Sequence, residues 1–380
     1  MRSPAPKRMP ESKRSPARSL ANLELMSQQA PSASCKYSAL RFLGAVFCGA
    51  ALLTLSGCEK KGSPAWGSPS RETSPTASHS VTAPKSVSKP AKANAKSDET
   101  STKESPGGGL RFITYNVENW LTTDRRVGQK NVKGLPKPDS EKQAIVRILT
   151  RHLPDVIGLC EIGTPADLAE IQAQLKAAGL DLPHSHYTGG SDPERHLGLL
   201  SRFPIVSSAT PKEMEYQLTG RTYAINRGIL DSTIETPGKS YRFIGVHLKS
   251  KRDSEQGDQE QIRQSEARLL RRHVDSILRE DENARLIVYG DFNDTRSSPT
   301  IKTITGEYGH PTYLTAIPAK DSQNHAWTHF WALQDVYSRF DYIMVTREIR
   351  KETDFPSAKI IDDACWNDAS DHRAVLAVFK

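Results

Sequence analysis

From Leu110 onward, apolar residues fall into short runs of β-branched and aromatic side chains, each bounded by a polar string, with segments of helical spacing between them. Leu110-Arg-Phe-Ile-Thr-Tyr-Asn116 predicts a strand with Asn116 at its end. After a Gly/Lys/Pro-rich loop, Ser140 with Gln143 has the form of a capping box. Ala144, Ile145, Ile148 and Leu149 then recur at helical spacing until Pro154 stops the helix. Asp155-Val-Ile-Gly-Leu-Cys-Glu161 predicts a buried strand ending in a carboxylate, and a second helix is expected from about Pro165 to Ala178.

The pattern continues with a short strand at Leu197 to Ser201 and extended segments at Gly228 to Glu235 and Tyr241 to Leu248, the last carrying His247. Ala267, Leu270, Val274, Ile277 and Leu278 mark another amphipathic helix. Ala284 to Tyr289 is a buried strand that delivers Gly290-Asp291-Phe292-Asn293. Phe340 to Val345 carries Asp341, and Ser370-Asp371-His372 leads into Ala374 to Phe379. Strands interleaved with helices imply a layered α/β architecture, and consecutive strand pairs imply mixed rather than wholly parallel sheets. No linker-like gap interrupts residues 110–380, so they are expected to form one domain.

The first 109 residues read differently. Behind Lys36 and Arg41, Phe42 to Leu55 is almost wholly apolar, the length of a signal-peptide core and too short for the ~20 apolar residues of a membrane-spanning helix. Small residues and a cysteine follow. Residues 58–109 are dominated by Ser, Pro, Lys, Ala and Thr, which cannot bury enough apolar surface to order themselves, so a disordered tether is expected there. The sequence leaves open whether translation starts at Met1 or Met26.

Charge follows the same division. Met1 to Gly109 holds 16 Lys/Arg and 7 Asp/Glu of the chain's 52 and 44, leaving 36 and 37 for the remainder. The basic character thus belongs to the N-terminal region, and bulk charge gives the domain no signature of nucleic-acid binding. Of the five cysteines only Cys160 and Cys365 fall in the domain. Cys160 sits inside an apolar strand, where a free buried thiol is common, so a disulfide is not expected.

The polar strings supply the candidate chemistry: Asn116, Glu161, His247, Asp291, Asn293, Asp341, Asp371 and His372 together offer carboxylates, two imidazoles and two amides. Each string taken singly is ordinary turn or cap chemistry; six of them at strand ends within one domain are what metal-assisted phosphoester hydrolysis requires. Hard oxygen donors suit Mg²⁺ or Mn²⁺, and no Cys/His cluster argues for zinc.

These strings, in this order, resemble the endonuclease/exonuclease/phosphatase superfamily over essentially all of residues 110–380. The resemblance implies a four-layered sandwich of two mixed β-sheets flanked by helices. It also implies Asn116, Glu161 and Asp371 at the metal, and His247, Asp291, Asn293, Asp341 and His372 as the catalytic set. In that scheme Asp291 orients or deprotonates water, His247 and Asn293 meet the phosphoryl oxygens, and Asp341 fixes His372. Arg227 stands roughly where some members present an arginine to phosphate, against the alternative of a surface salt bridge. Leu55-Ser-Gly-Cys58 is similar to the lipobox of bacterial lipoproteins. That implies a signal peptide over residues 1–57, lipid on Cys58, and membrane anchorage in the cell envelope, with Glu59 pointing to the outer membrane.

For substrate, nucleic acid leads, on the basic loop Lys249-Ser-Lys-Arg252 and the aromatics Trp120, Trp327, Phe330 and Trp331, although the loop reads equally as a solvated surface loop and the aromatics as core. A phosphatase or phospholipid-type phosphodiesterase is the alternative, though no long apolar hairpin for membrane insertion is visible. A non-catalytic phosphate-binding lipoprotein is a third.

Overall fold

A computed structural model describes residues 109–380. The expected signal segment, all but the last residue of the tether, and Cys58 lie outside the described residues.

Two six-stranded sheets form the centre. The first runs, in spatial order, Lys359–Ile360, Val375–Phe379, Leu110–Trp120, Val156–Ile162, His196–Ser201 and His184–Thr188. The second runs Thr315–Ala316, Asp341–Val345, Leu286–Asp291, Lys239–His247, Ile229–Thr236 and Ile205–Ser208. Each sheet has one parallel pair at its centre, Leu110–Trp120 with Val156–Ile162 and Lys239–His247 with Leu286–Asp291, and antiparallel neighbours outside it. The sheets are mixed, as expected.

Side-chain alternation builds the layers. Phe112, Leu199, Phe243, Tyr289 and Val345 fill the space between the sheets. From the opposite face of the first sheet, Ile113, Tyr115, Ile157 and Leu159 pack on helices Asp139–His152 and Pro165–Ala177 through Ile145, Leu149, Ile171 and Leu175. On the outer face of the second, Ile244, Val246, Val288 and Met344 pack on the 22-residue helix Gln259–Glu280 through Leu270 and Val274. Strands covered on both faces read as continuous apolar runs, which is why they were legible in sequence. The result is a four-layered sandwich.

Edge strands such as His184–Thr188 and Ile205–Ser208 and three two-stranded hairpins go beyond the expectation, and the start of the first helix differs from it. The first helix begins two residues earlier, with Pro138 at its N-cap and no side-chain cap bond, so Ser140 is helical and the Ser140/Gln143 capping box does not form. A true capping box opens the second helix instead, with Thr164 and Asp167 exchanging hydrogen bonds. Cys160 and Cys365 are free and belong to packing clusters on opposite faces of the first sheet.

Candidate active site

The polar strings converge because parallel strands deliver their C-terminal ends to one edge of each sheet. In the second sheet the register pairs His247 with Asp291 and Asp291 with Asp341, so three strands place these residues in one row. Gly290 is required for that row: its φ is +130°, and a Cβ there would lie 1.9 Å from the Val246 carbonyl oxygen on the neighbouring strand. Asn116 comes from the first sheet and joins the two. Its Nδ2 donates to Glu161 Oε1 (3.2 Å) and to Asp291 Oδ2 (3.1 Å), and its Oδ1 accepts from the Glu118 amide.

Asp291 is buried at the floor of a cleft of ≈ 570 Å³. Its Oδ2 also accepts from Asn293 Nδ2 and lies 3.5 Å from His247 Nε2 and 3.7 Å from His372 Nε2. Burial pushes its pKa up to about 6, with Asp341 acting in the same direction and the His372 charge opposing. A carboxylate poised near neutrality is suited to accept a proton from water.

The two histidines are set oppositely. Burial, reinforced by the facing charges of Arg227 and His372, pushes His247 well below the ordinary imidazole range, so it is neutral. Burial would lower His372 too, but the Asp341 and Asp291 carboxylates hold it well above that range. Asp341 Oδ2 lies 2.8 Å from His372 Nδ1, fixing the ring so that Nε2 faces the cleft. Asp341 is itself held by Thr328, whose hydroxyl accepts from the Phe340 and Asp341 amides.

Arg227 is buried and lines the cleft, with Nε 3.1 Å from Asp192 but no aligned hydrogen bond, and its Nη1 has no partner. It is therefore no surface salt bridge. A tight crossing brings it there: Gly228 has φ +77°, and a Cβ would lie 2.3 Å from the Gly189 carbonyl oxygen. Glu266, wholly buried on the long helix, accepts from the amides of Asn226 and Lys249 and so ties down the segments beside Arg227 and His247.

The acidic side of the cleft holds more than the sequence suggested. Glu161 Oε2 accepts from the Asn119 amide, and Asp371 lies toward His329 (3.7 Å) and His372 (3.9 Å), its amide donating to Glu118. Glu118, half-buried between them, has its pKa raised to about 7 by burial and by Asp371. Glu118, Asn119, Glu161 and Asn293 all adopt positive φ (46°, 58°, 66° and 49°), half of the eight non-glycine residues that do so among those described. Such conformations cost energy and persist where the surrounding structure imposes them, commonly at functional sites. Glu118, Glu161 and Asp371 line one cleft and offer hard oxygen donors, a chemistry that fits a divalent cation such as Mg²⁺ or Mn²⁺.

Sequence reasoning missed Glu118, Asn119 and His329. The first two follow Asn116 within three residues, and that density of polar groups at a strand end was an available signal. His329 had none: it enters through the short hairpin His329–Trp331/Val336–Ser338, docked on the Ser370–His372 segment by a bond from the Phe330 amide to the Asp371 carbonyl.

The aromatics expected to face substrate divide. Trp120 is a core residue, fully buried with Nε1 donating to Glu170. Trp327 packs under the Arg373 guanidinium at 3.4 Å and Phe330 stacks on Tyr337, while Trp331 lines the cleft. Of the basic loop, Lys249 is buried on Gln256, and Lys251 and Arg252 line the rim.

A model of the Endonuclease/Exonuclease/phosphatase family matches residues 128–372. Comparison with curated proteins gives no match. Among solved structures the chain is similar to an endonuclease/exonuclease/phosphatase family protein from Leptotrichia buccalis (17% identity over 71% of this chain and 99% of that one, TM-score 0.50). It is also similar to beta toxin 275-280 from Staphylococcus aureus (15%, 71% and 100%, 0.50). The catalytic domain of human Nocturnin, with bound sulfate anion, is a third (18%, 72% and 94%, 0.50). At these identities the likeness is one of fold.

Proposed function

Since this chain belongs to the endonuclease/exonuclease/phosphatase family, we propose that it is a divalent-metal-dependent phosphodiesterase acting on nucleic acid outside the cytoplasm. The observation that carries the reaction is the buried row His247, Asp291 and Asp341 with His372 paired behind it, a base near neutrality beside a protonated donor.

In this reading Glu161, Asn116, Glu118 and Asp371 hold Mg²⁺ or Mn²⁺. The cation, when bound, polarises a phosphoryl oxygen and stabilises the leaving alkoxide. Asp291 takes the proton of the attacking water, Asn116 and Asn293 keeping its carboxylate in place. His372, charged and braced by Asp341, donates from Nε2 to the oxygen on which negative charge develops. Neutral His247 faces the same space with Nε2 and Arg227 offers its unpartnered Nη1 to a phosphate oxygen, whereas both Asn293 Nδ2 hydrogens are taken, by Asp291 Oδ2 and the Leu248 carbonyl oxygen, so Asn293 positions Asp291 rather than meeting the phosphoryl group.

Nucleic acid is favoured by what borders the cleft: Arg195, Arg227, Lys251 and Arg252 for phosphates and Trp331 for a base. One observation supports a second reading, a phospholipid-type phosphodiesterase. The hairpin at the cleft mouth exposes Leu333 (85%) at its turn and Val336 and Tyr337 on the strand that follows, a short apolar tip the sequence pattern had not revealed. For location we rely on the Leu55 to Cys58 motif: lipid on Cys58 and anchorage in the cell envelope.

The full chain, incubated with Mg²⁺ or with EDTA against plasmid DNA, RNA, sphingomyelin and inositol phosphates, separates these readings. Metal-dependent scission of DNA or RNA is expected; turnover of the lipid alone would replace the leading reading with the second, and no turnover of any substrate would sink both. Incorporation of labelled palmitate into the wild type and not into Cys58→Ser would establish the anchor.

A further inference from the structure

Thr295 lines the active cleft, while the next residue, Arg296, lines a second cavity of ≈ 640 Å³. Its walls are the helix Pro299–Thr305, the edge strand Thr315–Ala316 and the start of the helix Arg347–Glu352. Four cations border it, Arg296, Lys302, Arg347 and Arg350, and no carboxylate does. Arg347 reaches only Glu348, at 3.9 Å, and among the described residues the side chains of the other three make no hydrogen bond or ion pair. In a domain whose basic and acidic residues otherwise balance, a cluster of uncompensated cations repels itself unless an anion is present.

The cavity also presents a ring to water. Tyr308 is 87% exposed, held edge-on against Tyr313 at 5.3 Å and 80°. Cations spaced along a groove with an exposed aromatic face are the chemistry that holds single-stranded nucleic acid. A lipid surface would call for exposed aliphatic side chains, and Tyr308 is the one large exposed apolar residue bordering this cavity.

We propose that this cavity is an accessory site for single-stranded nucleic acid. Arg296, Lys302, Arg347 and Arg350 hold phosphates and Tyr308 stacks a base of a strand whose neighbouring segment lies in the active cleft. This rests on the nucleic-acid reading above, and makes affinity depend on strand length.

Fluorescence anisotropy of the full chain with labelled oligothymidylates of about four and about fifteen nucleotides, in EDTA so that nothing is cleaved, tests it. The longer strand should bind about tenfold or more tightly than the shorter. Tyr308→Ala and the double variant Arg347→Glu/Arg350→Glu should each remove most of that advantage, Tyr308→Phe should keep it, and the double variant should flatten the salt dependence by about 1.4 in slope. Hydrolysis of bis(p-nitrophenyl) phosphate, too small to span both cavities, should be unchanged. Unaltered binding of the longer strand by these variants overturns the proposal, as does loss of phosphatidylglycerol-vesicle binding with oligonucleotide binding intact. Length-dependent binding without Mg²⁺-dependent cleavage would refute the proposed reaction and leave this site standing; cleavage with unaffected variants would do the reverse.

Discussion

The two sheets contribute unlike halves to one cleft. From the second come His247, Asp291 and Asp341, buried side by side on three neighbouring strands, so that ladder register alone fixes their spacing. The first sheet offers Glu118, Glu161 and Asp371, half-buried, from strand ends and turns where Glu118, Asn119 and Glu161 are bent into positive φ. Asn116 hydrogen-bonds to both halves, to Glu161 and to Asp291. A row fixed by register suits groups whose proton positions must be exact; crowded, strained carboxylates suit a cation that relieves their repulsion.

Removing the centre of the buried row should have the largest effect. Asp291→Ala is expected to lower kcat by about 10³-fold or more on whichever phosphoester proves to be the substrate, while thermal unfolding shows no loss of stability, because a desolvated carboxylate is removed. A variant that unfolds instead would give Asp291 a structural role.

Asp341→Asn should cost about 10² to 10³ in kcat. Since Asp341 holds the His372 pKa up, its loss lets the proton leave at lower pH, and the alkaline limb of the kcat profile should move toward neutrality. The stability from this pairing is full below the ordinary histidine pKa and lost as pH rises through the raised one, so wild type and variant should converge in urea midpoint at alkaline pH. An unmoved limb would mean that His372 does not carry the charge.

The acidic half should respond more gently and with the opposite pH dependence. Glu118→Gln is expected to weaken Mg²⁺ binding about tenfold at pH 8, by isothermal titration. Near pH 6 it should do little, because Glu118, with a pKa of about 7, is already mostly neutral. Equal loss at both values would remove Glu118 from the cation site. Smallest of all, Glu266→Gln should keep the chemistry but loosen the segments beside Arg227 and His247, raising KM a few-fold and costing about 1–3 kcal/mol of stability.

Legibility followed the same division. The buried row could be named from the chain because each member ends or begins an apolar run. Glu118 and His329 escaped because their place depends on turns and on a hairpin with no periodicity of its own. For Trp120 the sequence left base stacking and core packing open, and the helix carrying Glu170 decides it by covering the ring.

The sequence by itself determined the apolar inner strands, the residues they end in and the separation of a basic N-terminal region from a neutral domain, because local apolar periodicity and composition do not need a partner to be read. Only the tertiary structure decided that Asp291 sits near neutrality, that His372 is charged and His247 is not, that Arg227 reaches the cleft, and that four cations gather around Tyr308. Those properties belong to pairs of groups far apart in the chain, and burial and distance exist only once the sheets have packed.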